Sequence, residues 1–114
     1  MPDCLFCRIR DGQIPAKVVY RDEHCLAFED INPQAPLHAL VIPNSHIATV
    51  NDIGPGDREV VGHLFTAAAQ LAKARGYADS GYRVVMNTQR DAGQTVFHIH
   101  LHVLAGRPLE WPPG

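Results

Sequence analysis

The chain has 114 residues, 46% of them hydrophobic, and a formal net charge of −2. That length sets one domain, residues 1–114, with a core small enough that a dimer partner or a bound metal would help it. The charge offers nothing to a nucleic-acid backbone or an anionic membrane, and no apolar run reaches the roughly 20 residues of a membrane span.

The N-terminus carries no basic n-region and no apolar h-region, and three cysteines is an odd count. Together these point to a reduced, cytoplasmic protein. Cys4-Leu5-Phe6-Cys7 opens a short helix that Asp3 can cap and that Gly12 and Pro15 end. Residues 18–20 read as a strand, Arg21-Asp22-Glu23 as a turn, and residues 25–29 as the hairpin partner, with Cys25 an ordinary buried residue. Asn32, Pro33 and Pro36 make a loop. Residues 38–42 are nearly all apolar and read as a central strand, which Pro43 stops. Asp57 can cap the long helix and Gly76 can terminate it. Within it Val60, Val61, Leu64, Phe65, Ala68, Leu71 and Ala72 fall on one face, leaving His63 as a solvated residue. Residues 82–87 read as a fourth strand, and 88–95 as a loop. The tail, 106–114, holds Pro108, Trp111, Pro112 and Pro113 and can be neither helix nor inner strand.

The fifth strand is the unusual one. In Phe97-His98-Ile99-His100-Leu101-His102-Val103-Leu104, apolar and imidazole side chains alternate strictly, which is the period of a pleated strand. One face carries Phe97, Ile99, Leu101 and Val103. The other carries His98, His100 and His102, each about 6.7 Å from the next. A merely solvated face would more often hold Lys, Thr or Glu. A row of imidazoles can ligate metal, or supply a nucleophile and an acid near neutral pH. The elements together give an α+β fold: a five-stranded antiparallel sheet, one long helix and a short N-terminal helix. Cys4-x-x-Cys7 reads in three ways: half of a zinc site, a redox pair, or two buried thiols. A redox pair normally opens a helix after a strand, and no strand precedes this one.

The run His98-Ile99-His100-Leu101-His102-Val103-Leu104 resembles the signature of the histidine-triad (HIT) family, with no mismatch. Ile14-Pro15-Ala16-Lys17, Leu26-Ala27-Phe28, Asp30-Ile31, Pro33-Gln34-Ala35-Pro36, His38, Val41-Ile42-Pro43, His46-Ile47, Asn87, Gly93-Gln94 and Trp111-Pro112-Pro113-Gly114 are similar to its Hint branch. The Cys4/Cys7 pair departs from some animal members. The resemblance implies a nucleotide-binding hydrolase that cleaves the P–N bond of AMP and GMP amides through a nucleotidyl-histidine intermediate. It also implies a homodimer, with the sheet extended across it, the long helix and the fourth strand at the contact, and Trp111 reaching the other subunit's site.

Residue by residue, the resemblance makes His100 the nucleophile, with His102 and His38 on the phosphate oxygens and Thr95 at the leaving-group nitrogen. The backbone N–H groups of Gly93 and Gln94 would line the phosphate, with Asn87 and His98 near it. Asp30 would accept both ribose hydroxyls. Leu5, Phe6, Ile9, Phe28 and Ile31 would form an apolar slot for the purine, although nothing in it tells adenine from guanine. Some bacterial relatives pair such cysteines with two histidines, so Cys4, Cys7, His46 and His98 would hold a structural zinc, with no cofactor required for catalysis. Two sister activities use the same triad: dinucleoside polyphosphate hydrolysis and nucleotidyl transfer. Readings of another class are a nucleotide-sensing interaction protein and a zinc-binding protein without turnover.

Overall fold

The computed structural model describes residues 3–114. Helix α1 spans Leu5–Arg10, and helix α2 spans Arg58–Ala74. Five strands, β1 (Val18–Arg21), β2 (Cys25–Glu29), β3 (Leu37–Pro43), β4 (Tyr82–Val85) and β5 (Leu101–Ala105), form one sheet in the order β1-β2-β3-β5-β4. Every neighbouring pair is antiparallel. No helix among the described residues is long and apolar enough to cross a membrane.

Strand alternation divides the interior into two cores. Cys25 and Ala27 of β2, Leu37, Ala39 and Val41 of β3, and Leu101, Val103 and Ala105 of β5 point to one face. There they meet Leu64, Ala67, Ala68 and Leu71 of α2. Leu26, Phe28, Leu40 and Ile42 point to the other face and meet Phe6, Cys7 and Ile9 of α1. Register places His102 beside Leu40, and Leu40 beside Phe28. His38 lies two residues from Leu40, on the same face as His102 and diagonal to it. The β3–β5 register is therefore what turns a row of histidines into a cluster.

Several sequence expectations change. Cys4, not Asp3, is the N-cap of α1, its Sγ accepting the Cys7 N–H at 3.3 Å. Asp57 makes no side-chain bond to α2; its Oδ2 accepts the N–H of Gly54 at 2.9 Å. Phe65 stands 48% exposed, because the buried stripe runs through Leu64, Ala67, Ala68, Leu71 and Ala72, and residue 65 is turned about 100° away from residue 64. His63 is not simply solvated. Its Nε2 lies 2.7 Å from Asp22 Oδ2, and its ring is 4.6 Å from that of His24. Asp22 also takes the hydroxyl of Tyr20 and the N–H groups of His24 and Cys25, tying the β1–β2 turn to α2. Burial works against its charge, but these donors outweigh it and hold the carboxyl well below the usual range.

β5 starts four residues later than the alternation predicts, at Leu101. The stretch before it bonds to the end of β3 and the chain beyond it: the His98 ring donates to the carbonyl of Pro43, the last residue of β3, and Ile99 N–H donates to Ile47 O at 2.7 Å. Alternation persists through Ile99, which is buried against α2, but not to Phe97, which is 46% exposed. After β5 the chain turns at Gly106, whose φ is +99°. A Cβ there would lie 2.7 Å from Pro36 Cβ and 3.1 Å from the Tyr77 hydroxyl. Gly106→Ala is therefore expected to cost about 1–3 kcal/mol, through strain at positive φ plus the overlap. A urea melt of the variant with an unchanged midpoint would contradict this.

Candidate active site

His98, His100 and His102 leave the sheet on the α1 side, each among different neighbours. His100 is 7% exposed, and its Nδ1 donates to the carbonyl of His98 at 2.9 Å. A carbonyl only accepts, so the proton of the neutral ring sits on Nδ1 and Nε2 keeps its lone pair. The ring packs at 5.0 Å, edge to face, with Phe6 and at 5.1 Å with His102. His102 Nδ1 meets His38 Nε2 at 2.9 Å, and Asp30 Oδ2 lies 3.5 Å from that same nitrogen. Burial lowers the pKa of His100, against smaller upward pulls from the His98 carbonyl and then Asp30, and that of His38, against a smaller upward pull from Asp30. Burial and the neighbouring imidazoles bring His102 down to about 4. All three rings are thus neutral near pH 7, the form in which an imidazole can attack or donate without carrying charge.

Beside the triad lies a cavity of about 210 Å³, lined by Leu5, Phe6 and Ile9 of α1, Ile14 and Ala16 of the following loop, and Phe28, Asp30, Ile31 and Leu40. It is smaller than the roughly 300 Å³ at which drug-sized pockets begin, so it suits a single ring system with one polar edge. All six residues expected there on family resemblance do line it. Phe6 forms the wall between cavity and triad, 5.4 Å from the Phe28 ring and 5.0 Å from the His100 ring. Ile31 is fully exposed and forms the rim. Asp30 Oδ1 accepts the Asn32 N–H at 2.8 Å, which orients the carboxylate at the mouth. Ile14, Ala16 and Leu40 were not anticipated, although Leu40 is two residues from His38 and alternation alone puts it on this face.

His98 faces elsewhere. It is fully buried; Nε2 donates to the Pro43 carbonyl at 2.9 Å, while Nδ1 lies 3.4 Å from Cys4 Sγ and 3.5 Å from Cys7 Sγ. His46 Nδ1 is 3.3 Å from Cys7 Sγ. The four donor atoms lie within 4.8 Å of one another and could hold a metal ion. Zinc–sulfur bonds of about 2.3 Å and zinc–nitrogen bonds of about 2.0 Å at a tetrahedral angle put nitrogen and sulfur roughly 3.5 Å apart, which these spacings fit. The Pro43 bond leaves the bare Nδ1 toward the thiols, the arrangement a metal-binding histidine needs. Burial and the neighbouring Cys4 raise the Cys7 pKa, so a cation is what would favour its thiolate. Neither His98 nitrogen serves the cavity: Nδ1 belongs to this cluster and Nε2 to the Pro43 carbonyl.

The HIT domain profile matches residues 11–109. The chain belongs to the HIT family. It is 48% identical over 107 residues to a purine nucleoside phosphoramidase of Escherichia coli strain K12, covering 94% of this chain and 90% of that protein. An uncharacterized HIT-like protein of Synechocystis is 46% identical over 112 residues, 98% of this chain and 97% of the other. Among solved structures, a HIT family hydrolase from Legionella pneumophila superposes with a TM-score of 0.97 at 52% identity, covering 98% and 100% of the two chains. A histidine triad protein from Clostridium difficile gives 0.93 at 42% identity, covering 96% of each.

The loop that leads into the HIT signature is organised by Gln94. Its amide nitrogen donates to Ala48 O at 2.7 Å and Val96 O at 3.1 Å, and its amide oxygen accepts the Gln89 N–H at 2.9 Å. The backbone N–H groups of Gly93 and Gln94, expected on a phosphate, are spent inside the loop on Arg90 O and Gln89 O. Asn87 is half-buried just beyond β4, and no hydrogen bond joins it to the triad among the described residues. Thr95 lines a separate groove of about 570 Å³ with Cys4, Leu5, His46 and Phe97. Leu5 borders both groove and cavity, so the two meet at the start of α1.

Proposed function

We propose that the protein is a hydrolase that cleaves the P–N bond of purine nucleoside 5′-phosphoramidates. The observation that carries this reading is the proton placement on His100: a neutral, buried imidazole whose Nδ1–H is fixed on a carbonyl, with Nε2 as a lone-pair nucleophile beside an apolar slot. The name of the E. coli relative supports the same substrate class. The base enters the slot lined by Leu5, Phe6, Ile9, Phe28 and Ile31, and Asp30 takes the ribose hydroxyls. His100 Nε2 attacks phosphorus; the P–N electron pair leaves with the amine nitrogen, which takes up a proton from water. Water then attacks the nucleotidyl-histidine and releases a proton to solvent, replacing the one the amine took; the N–P electrons return to His100, and AMP or GMP departs. His102 faces the phosphate oxygens; His38, expected there on family resemblance, stands behind it with both ring nitrogens taken, by the Gln34 N–H and by His102. Thr95 contacts the leaving amine from the groove side.

We further propose that Cys4, Cys7, His46 and His98 hold a zinc ion. With four protein ligands it has no open position, so it supplies structure, tying α1 to the triad. A homodimer accounts for what one chain leaves uncovered: Phe65 on α2, Tyr82 on β4 and Trp111, which is 82% exposed. Arg83 holds the tail by donating to Leu109 O and Glu110 O.

Turnover of AMP and GMP amides, measured beside a dinucleoside polyphosphate, tests the assignment. The amides are expected to give kcat/KM at least about tenfold higher, a difference of roughly 1.4 kcal/mol in transition-state binding. Preference for the polyphosphate would move the protein to the sister activity. AMP binding with no turnover of any of them would make it an interaction protein.

A further inference from the structure

His38 and His102 meet nitrogen to nitrogen, Nε2 to Nδ1 at 2.9 Å. Such a pair bonds only when one nitrogen carries a proton and the other does not. The polarity is decided on the far side of His38, where Nδ1 lies 3.0 Å from the backbone nitrogen of Gln34. A peptide N–H can only donate, so His38 Nδ1 must hold a lone pair. In the neutral ring the proton is then on Nε2, which gives it to the bond with His102 Nδ1. His102 must in turn carry its own proton on Nε2.

The Gln34 peptide is itself held from the segment after β5. Arg107 Nε donates to Gln34 O at 2.9 Å, and Arg107 Nη1 donates to Pro108 O at 3.0 Å. Gly106, one residue earlier, approaches Pro36 so closely that a Cβ would overlap it. The loop carrying Gln34 is thus clamped by a short stretch that does not line the slot.

We propose that the Gln34 N–H, held by Arg107, is a positioning group that sets the tautomers of His38 and His102, so that His102 offers an N–H to a bound phosphoryl oxygen. This rests on the phosphoramidase reading. Two adjacent imidazoles then have opposite polarity for a simple reason. The chain of bonds behind His100 ends on a carbonyl, and the chain behind His102 ends on a peptide N–H. His100 therefore turns a lone pair outward and His102 a proton. With the reverse polarity, His102 would set a lone pair against an anionic oxygen, which repels it.

The test combines ring-nitrogen NMR of histidine-labelled protein with kinetics on an AMP amide. In the wild-type protein near neutral pH, His38 and His102 should both be Nε2–H tautomers, and His100 Nδ1–H. Gln34→Pro deletes the backbone donor and should move the His38 proton from Nε2. Its kcat should fall roughly tenfold to a hundredfold below that of Gln34→Ala, the scale seen when the partner orienting an imidazole is lost, with a smaller change in AMP affinity. Arg107→Met should lower kcat in the same direction by about threefold to tenfold, with Arg107→Lys restoring part of it and KM little changed. Arg107→Met keeps the test open if Gln34→Pro does not fold. A wild-type His38 protonated on Nδ1 would overturn the proposal, as would an Arg107→Met protein with unaltered ring signals and kcat. The NMR result needs no turnover, so a protein with the stated tautomers that leaves amides intact upholds the proton assignment and overturns the hydrolase reading.

Discussion

His100→Ala is expected to lower phosphoramidate turnover by about three orders of magnitude or more, the usual consequence of removing a covalent nucleophile. Its neighbours cannot take over. His98 has both nitrogens committed, to Pro43 O and to the thiols, and His102 Nδ1 is bonded to His38. AMP affinity should survive within a few-fold, because the slot is built by Phe6, Phe28, Leu40 and Asp30 and does not depend on the His100 ring. The measurement is single-turnover chemistry on an AMP amide beside equilibrium binding of AMP, with thermal unfolding to confirm a folded variant. Rates within about tenfold of the native protein, roughly 1.4 kcal/mol of barrier, would remove His100 from the nucleophile's role.

The second large effect concerns the Cys/His cluster. Freshly purified protein is expected to carry about one zinc per chain, as four protein ligands imply. Cys4→Ser should release it and cost about 3 kcal/mol or more of stability, because metal bound only to the folded chain contributes its binding energy to folding. Serine is a suitable probe here. Cys4 is also the N-cap of α1, and serine caps a helix well, so the loss can be assigned to the metal and not to a frayed helix. Elemental analysis finding no metal in the native protein, or a Cys4→Ser melt that superposes on it, would defeat the zinc assignment. The same variant should loosen the triad. His98 joins the cluster through its ring and supports His100 through its carbonyl, so one residue links the two sites.

Much of the candidate site was legible because alternation reports which face a side chain takes. The imidazole row, the apolar row against α2 and the five-stranded α+β sheet all follow from period and punctuation. The apolar slot was legible only through resemblance, since Leu5, Phe6, Ile9 and Phe28 would make an equally good core without it. The errors fell where face alone is not enough. Phe65 sat at the edge of a helical stripe, and a change of a few tens of degrees decides whether such a residue is covered. His63 found Asp22 on a turn 41 residues away, a contact no local pattern encodes. Gln94 was placed on a phosphate, and it is instead the residue that closes its own loop.

His98, His100 and His102 show the division most clearly. By itself the sequence determined that three imidazoles share one face of an extended segment, and that two cysteines sit three apart near the start of a helix. It did not determine which imidazole does what, because the three are equivalent in an alternating pattern. Tertiary structure separated them through their neighbours. The packing of α1 set the thiols against His98, the end of β3 gave it the Pro43 carbonyl, and the β3–β5 register brought His38 to His102. Protons followed from those neighbours: a carbonyl behind His100, a peptide N–H behind His38. Position along a strand fixes direction, but only the groups packed against a ring decide which of its nitrogens is the base.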